Sequence, residues 1–280
     1  MASRAVLITG CSTGIGRATA ERLAGKGWPV YATARRLDSL EDLADRGCAV
    51  LPLDVCDESS IAAAVDRVVE DHGAVGALVN NAGYGQEGTI EEVPMDEVRR
   101  QFETNVFGLV DLTKRVLPGM RAQGWGRIVN LSSMGGKVTL PGGGYYHATK
   151  YAVEAISDAL RFEVGRFGVD VVVVEPGPVA TEFGTTALAS VEPLRDPDSP
   201  YARFNGVLAQ RIVDAYEGGL SRFAAPPSAV ARVIERALTA RRPRTRYRVT
   251  VAARAMLTSR KVLPDRAWDL FLRAQFPARG

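Results

Sequence analysis

Short apolar runs alternate with amphipathic stretches along most of this chain. The apolar runs predict strands at 5–9, 29–33, 49–53, 77–80, 127–131, 170–175 and 246–251. Between them, apolar residues recurring every three or four positions predict helices near 14–25, 38–46, 58–72, 95–122, 146–167 and 228–240. Several strand runs are continuously apolar, notably Val171-Val172-Val173-Val174, as a parallel sheet covered on both faces requires. Regular alternation without linker or repeat argues an α/β fold. It is a doubly wound parallel sheet of seven strands with helices on both faces and right-handed crossovers, one domain over 1–280. The rhythm breaks between Pro176 and Pro227. There the polar stretch Glu192-Pro193-Leu194-Arg195-Asp196-Pro197-Asp198-Ser199-Pro200 precedes a helical run near 201–218. Long inserts in compact domains are usually functional or disordered.

A hydrophobic content of 46% suits a sizeable core, and no apolar run approaches the roughly 18 residues of a membrane span. The opening stretch, Arg4 and then a five-residue strand, reads as no secretory signal. Cys11, Cys48 and Cys56 are odd in number and unpatterned, and His72 and His147 lie far apart, so zinc spacing is absent. A reduced cytoplasmic protein without metal is expected. The formal charge of +3 hides an asymmetry: residues 241–280 carry eleven Lys/Arg and two Asp, or +9, leaving −6 for the rest. The basic tail, about 252–280, combines charge with large apolar groups in Arg254-Ala255-Met256-Leu257 and Ala267-Trp268-Asp269-Leu270-Phe271-Leu272. Packing on the body is favoured over peripheral contact with a membrane. No nucleic-acid partner is expected.

The first strand runs into Gly10-Cys11-Ser12-Thr13-Gly14-Ile15-Gly16 and then a helix. A strand, a glycine turn and a helix N-terminus make a phosphate cradle, with free N–H groups and a positive dipole end facing the anion. Gly10 permits the tight turn, Gly14 lets backbone approach a pyrophosphate, and Gly16 lets helix pack closely on strand. Farther on, Tyr146 and Lys150 are four apart at the mouth of a helical run, on one helix face. An ammonium there lowers the pKa of a phenol by favouring the phenolate. Ser133 lies thirteen residues before Tyr146, at the end of Ile128-Val129-Asn130-Leu131, where it can hold a substrate oxygen beside the phenol. Gly14, Asn81, Ser133 and Pro176 all follow strand ends, so these motifs converge on one crevice.

The spacing Thr9-Gly10-x-x-x-Gly14-x-Gly16, with Asn80-Asn81-Ala82-Gly83, Asn105, Ser133 to Lys150 and Pro176-Gly177 in that order, resembles the short-chain dehydrogenase/reductase family over roughly residues 4 to 250. The Gly10-Cys11-Ser12 variant and Val30-Tyr31-Ala32-Thr33 look most like its steroid 17-beta and retinol dehydrogenase branch. The resemblance implies a Rossmann-like sheet in the order 3-2-1-4-5-6-7, with the segment at about 177–227 as a lid over substrate. It implies hydride exchange between NADP(H) and the carbonyl or secondary-alcohol carbon of a small molecule. Tyr146 would then be the acid/base and Ser133 the donor to the substrate oxygen. Lys150 would lower the tyrosine pKa and bind the nicotinamide ribose, and Asn105 would hold a water in the relay to Lys150. The dinucleotide would lie against Gly10, Ser12, Thr13, Gly14, Ile15, Gly16, Asp54, Val55, Asn81, Ala82, Gly83, Tyr146, Lys150, Pro176, Gly177, Val179 and Thr181. An acid at the end of the second strand binds the adenosine ribose of NAD, whereas a cation there suits the 2′-phosphate of NADP. Arg35 and Arg36 occupy that place, so NADP(H) is favoured over NAD(H). Ser12 could add a hydroxyl donor to that phosphate. Ser132 and Tyr145 are rivals to Ser133 and Tyr146, disfavoured by spacing. Asp54 has an alternative as a strand-ending Asx turn.

Met134, Val138, Leu140, Tyr84, Phe183 and Leu188 form a mostly apolar candidate pocket, which suits a lipophilic alcohol or ketone. Gly142-Gly143-Gly144 predicts a flexible segment that widens it. A homodimer or homotetramer is expected. The competing reading is a dinucleotide-sensing regulator on the same fold; such proteins often lose the tyrosine or lysine, and both are present here.

Overall fold

The computed structural model describes residues 2–276 except 217, 219–221 and 223. Five positions of the expected lid and the last four of the tail lie outside the described residues. Seven strands form one parallel sheet: β1 (Val6–Ile8), β2 (Val30–Ala34), β3 (Ala49–Pro52), β4 (Ala77–Asn80), β5 (Gly126–Leu131), β6 (Val169–Glu175) and β7 (Arg246–Arg248). Their order is β3-β2-β1-β4-β5-β6-β7, as the resemblance implied. Successive side chains point to opposite faces of a strand. Val6 and Ile8 accordingly enter one core with helices α1 (Gly14–Ala24), α2 (Glu41–Asp45) and α9 (Pro227–Thr239). Ala5 and Leu7 enter the other, against α3 (Glu58–His72), α5 (Gly108–Ala122) and α6 (Gly144–Gly165).

The departures from the sequence reading have local causes. The helix expected over 95–122 is α4 (Met95–Phe102), a π-helical turn at Glu103–Phe107 and then α5. Such turns arise where a side chain disturbs the backbone ladder, and buried Asn105 sits in this one. The seventh strand stops at Arg248, because Thr250 accepts a hydrogen bond from Ala253 N–H and caps the next helix. The insert is mostly helical: α7 (Phe183–Val191), a 3₁₀ turn at Glu192–Leu194 and α8 (Ala202–Tyr216). Its proline-rich stretch is tied down where Asn205 Nδ2 donates to Glu92 Oε2 at 2.8 Å and to the Leu194 carbonyl at 2.7 Å.

The described part of the tail forms α10 (Val251–Val262) and α11 (Asp265–Gln275). Leu257 and Trp268 bury against Val138, with Met134 and Leu140 alongside, so the tail packs on the body as favoured. Among the described residues, no helix is long and apolar enough to cross a membrane.

Candidate active site

The glycine loop after β1 has the shape a pyrophosphate needs. Gly10 and Gly14 adopt φ of +71° and +61°, and a Cβ on Gly16 would stand 2.3 Å from the Gly10 carbonyl oxygen. Thr13 precedes α1 without a side-chain cap, so α1 opens with first-turn N–H groups that no capping side chain takes up. These features fit a nicotinamide dinucleotide. Thr9, which the motif includes but to which the sequence reading assigned no role, holds the loop to β4: its Oγ1 accepts from Asn81 N–H at 3.0 Å and Ala82 N–H at 2.9 Å. Asn81 Nδ2 donates back to the carbonyls of Thr9 and Gly10, so its side chain braces the cradle. Thr181 lies over Gly14, where an added Cβ would meet Thr181 Cγ2 at 3.1 Å. Gly83 adjoins Lys150 Nζ, whereas Gly177 makes room for Thr250 of the tail. Pro176 accepts from Met134 N–H with its carbonyl, and buried Val179 is bridged to Ala225.

At the end of β2, Arg35 and Arg36 are exposed, and Arg36 makes a long, 3.6 Å ion pair with Asp38. Arg17 joins them, a cation the sequence reading missed. It reaches the carbonyls of Ser12 and Ser39 and pairs with Asp42. Its place in the first turn of α1, directly after Gly16, was the available signal. Asp54 accepts from Cys56 N–H at 2.9 Å, so the Asx turn is realised. Val55 beside it is buried, its carbonyl pressed against Gly108.

Ser133, Tyr146 and Lys150 come together at the carboxyl end of β5. Ser133 Oγ accepts from Gly135 N–H at 3.0 Å and faces the Tyr146 phenol. Ser132 turns instead toward α6, its Oγ 2.6 Å from a Cβ built on Gly136. Tyr145 points away and donates to the Ile90 carbonyl. Lys150 Nζ donates to the Leu131 carbonyl at 2.9 Å and stands 5.8 Å from the Tyr146 ring centroid. Burial lowers the Lys150 pKa to about 8, opposed by the nearby Glu154 carboxylate. Tyr146 as a residue is partly exposed, yet its phenolic oxygen is set deep, and burial raises its pKa; the nearby Ser133 hydroxyl works the other way. Desolvation thus outweighs the downward shift expected from the lysine. Asn105 is committed elsewhere: its Nδ2 donates to the Tyr84 carbonyl and Thr149 Oγ1, and its Oδ1 accepts from Tyr84 N–H.

The pocket differs from the sequence expectation. The Phe183 ring stands tilted beside Tyr146 with centroids 5.3 Å apart, and Leu140 lines an adjoining groove. Val138 lies under the tail, and Leu188 packs within the insert beside Val191 and Leu208. The glycine run is tight, not wide: a Cβ on Gly142, Gly143 or Gly144 would stand 2.6 Å from Leu208, His147 or Ile90 respectively. His147 is buried and accepts from Leu140 N–H through Nδ1, with its pKa lowered to about 4 by burial. Two residues without a sequence signal also reach the cleft. The Tyr216 ring lies 6.3 Å from Phe183, and the Glu87 carboxylate lies near both Tyr146 and Tyr216.

Residues 4–191 match the family model for short chain dehydrogenases. The chain is 34% identical over 276 residues to an NADPH-dependent 3-dehydrocapnine reductase of Ornithobacterium rhinotracheale, covering 95% of each chain. A short-chain dehydrogenase structure from Streptomyces avermitilis superposes with a TM-score of 0.78 at 34% identity, covering 92% of each chain. A short-chain dehydrogenase/reductase from Burkholderia phymatum, in complex with NAD, gives a TM-score of 0.79 at 26% identity over 93% of each chain. This chain belongs to the short-chain dehydrogenase/reductase family. It is an oxidoreductase acting on CH–OH or C=O groups with a nicotinamide dinucleotide.

Proposed function

We propose that this protein exchanges hydride between NADP(H) and the carbonyl or secondary-alcohol carbon of a lipophilic small molecule, with Tyr146 as acid/base. The observation that carries this reading is the convergence of Ser133, Tyr146 and Lys150 beside the glycine cradle. The cradle from Gly10 to Gly16, with Asn81 as brace, would hold the pyrophosphate. Arg35, Arg36 and Ser12, joined by Arg17, would hold the adenosine 2′-phosphate. NADP(H), when bound, supplies or accepts the hydride.

In reduction Tyr146 gives a proton to the substrate oxygen, and in oxidation it removes one. Ser133 donates to the same oxygen and stabilises its developing charge, as a preorganised donor does. Lys150 binds the nicotinamide-ribose hydroxyls and, once they and the substrate fill the cleft, holds the phenol's charge. A relay water would meet Asn105 at its backbone, since its side chain is taken. The lipophilic part of the reading is supported by a groove of about 850 Å³ lined by Leu140, Ile90, Phe204, Trp268 and Leu272, which continues from Gly142 and Gly144 at the start of α6. The insert at about 177–227 acts as the lid, with Phe183 over Tyr146. The chain works as a single catalytic unit, cytoplasmic and homo-oligomeric.

A panel of lipophilic ketones with NADPH, followed by cofactor absorbance, tests this. Tyr146→Phe keeps the ring and removes the proton donor, so turnover should fall by at least about 10²-fold while NADPH still binds. Near-normal turnover by this variant would sink the mechanism.

A further inference from the structure

Glu87 is a titratable carboxyl in the cleft for which the proposed chemistry has no use. It lies on the loop after β4, and its backbone is fixed from two sides. Its N–H donates to Ser190 Oγ of α7 at 2.9 Å, and the next N–H, of Gly88, donates to the Gly142 carbonyl at 2.7 Å. These bonds aim the carboxylate at the catalytic end of α6. A Cβ on Gly143 would stand 2.9 Å from Glu87 Oε2 and 2.6 Å from His147 Cε1. One on Gly85 would stand 3.3 Å from Oε1 and 2.8 Å from the Phe183 ring. The carboxylate therefore sits between His147 and Phe183, the two rings that flank Tyr146.

Among the described residues, neither carboxylate oxygen of Glu87 has a hydrogen bond or an ion pair, whereas nearby Glu92 accepts from Thr89, Ser199 and Asn205. Among the described residues, the titratable groups facing it are the phenols of Tyr146 and Tyr216 and the neutral imidazole of His147, and none of these is a cation. Glu87 is half-buried, with its carboxylate oxygens open to the cleft, and the enclosure around it raises its pKa to about 8. A substrate that fills the cleft withdraws this carboxylate from water, which is unfavourable unless a cation or donors meet it. Here the missing cation would lie beside the atom that Tyr146 protonates.

We infer that Glu87 selects substrates bearing a protonated amine next to the reacting carbon, that is amino ketones and the matching amino alcohols. This rests on the oxidoreductase reading above. An ammonium offers three donors and a full charge, and the rigid backbone at Glu87 places its acceptor without further ordering.

The test uses the full chain with NADP⁺ and a matched pair, 2-aminododecan-3-ol and dodecan-3-ol. Each alcohol loses hydride to NADP⁺ and a proton to the enzyme, giving ketone and NADPH. Wild-type kcat/KM should favour the amino alcohol by about ten- to hundredfold, the scale of one charge-assisted hydrogen bond. In Glu87→Gln that ratio should collapse toward unity; being a ratio within one preparation, it is insensitive to partial unfolding. A preference for dodecan-3-ol in wild type, or an amino preference surviving in Glu87→Gln, overturns the inference. If wild type oxidises neither alcohol, the reaction reading fails instead. Calorimetry with dodecylamine then decides for Glu87, supporting it if binding is lost in Glu87→Gln and refuting it otherwise.

Discussion

Arg246 on β7 holds two buried carboxylates at once, and replacing it by Met should destabilise the fold measurably. Its Nε lies 3.0 Å from Glu154 Oε2 and 3.3 Å from Glu175 Oε1, and its guanidinium also reaches Asp158 at 2.5 Å. Glu175 is wholly buried and Glu154 is 3% exposed. Removing one partner of a buried ion pair costs about 3–5 kcal/mol, because a charge is left behind in a poor solvent. Here Glu154 keeps Lys137 at 3.1 Å and Glu175 keeps Arg248 at 3.2 Å, so the cost belongs at the low end, about 3 kcal/mol. For a chain of this size that lowers Tm by roughly 6–12 °C. Met keeps the apolar stem, so lost packing contributes little.

The assay is thermal unfolding by circular dichroism at two pH values. Glu175 already has its pKa raised by burial, and loss of Arg246 raises it further. A carboxylate with a raised folded pKa costs stability as pH climbs through that value, so the deficit should be larger near pH 7 than near pH 5. A drop below about 2 °C at both pH values would mean that Lys137 and Arg248 alone neutralise the pair, and would refute this account. The effect should reach the site, because Glu154 stands one turn beyond Lys150 on α6 and supports its charge.

Replacing Arg35 and Arg36 together by Ala should weaken NADPH binding by about ten- to hundredfold and leave NADH little changed, since only NADPH carries the 2′-phosphate; a wild-type preference for NADH would defeat the cofactor assignment outright. Glu87 titrates upward on folding to about 8. The stability it contributes is complete below its ordinary carboxylate pKa and is lost as pH rises through about 8, so Glu87→Gln should flatten the fall of Tm between about pH 5 and 8. An unchanged Tm profile in that variant would show that the carboxylate is solvated.

The sheet and most of the helices were legible because their cause is periodic and local. Val171-Val172-Val173-Val174 can only be a strand buried on both faces, and the turn from Gly10 to Gly16 requires a helix start behind it. Ser133, Tyr146 and Lys150 were legible through spacing along one strand end and one helix face. The misses have a different origin. Val138 reads as pocket lining until α10 and α11 fold back over it, a contact between residues more than a hundred positions apart. The glycine run at 142–144 reads as slack, but each missing Cβ is the space into which Leu208, His147 or Ile90 fits. Glu87 and Tyr216 carry no motif and reach the cleft only because Ser190 and Gly142 fix one loop and Gly184 admits the Tyr216 ring. The glycines and the Ser133, Tyr146 and Lys150 set carry the spacing on which the family resemblance rests. The residues that sequence pattern could not reach are those contributed by the insert and the loop after β4, where one member of the family can differ from another. A carboxylate held there without a partner is therefore informative about this protein's own substrate in a way that Tyr146 cannot be.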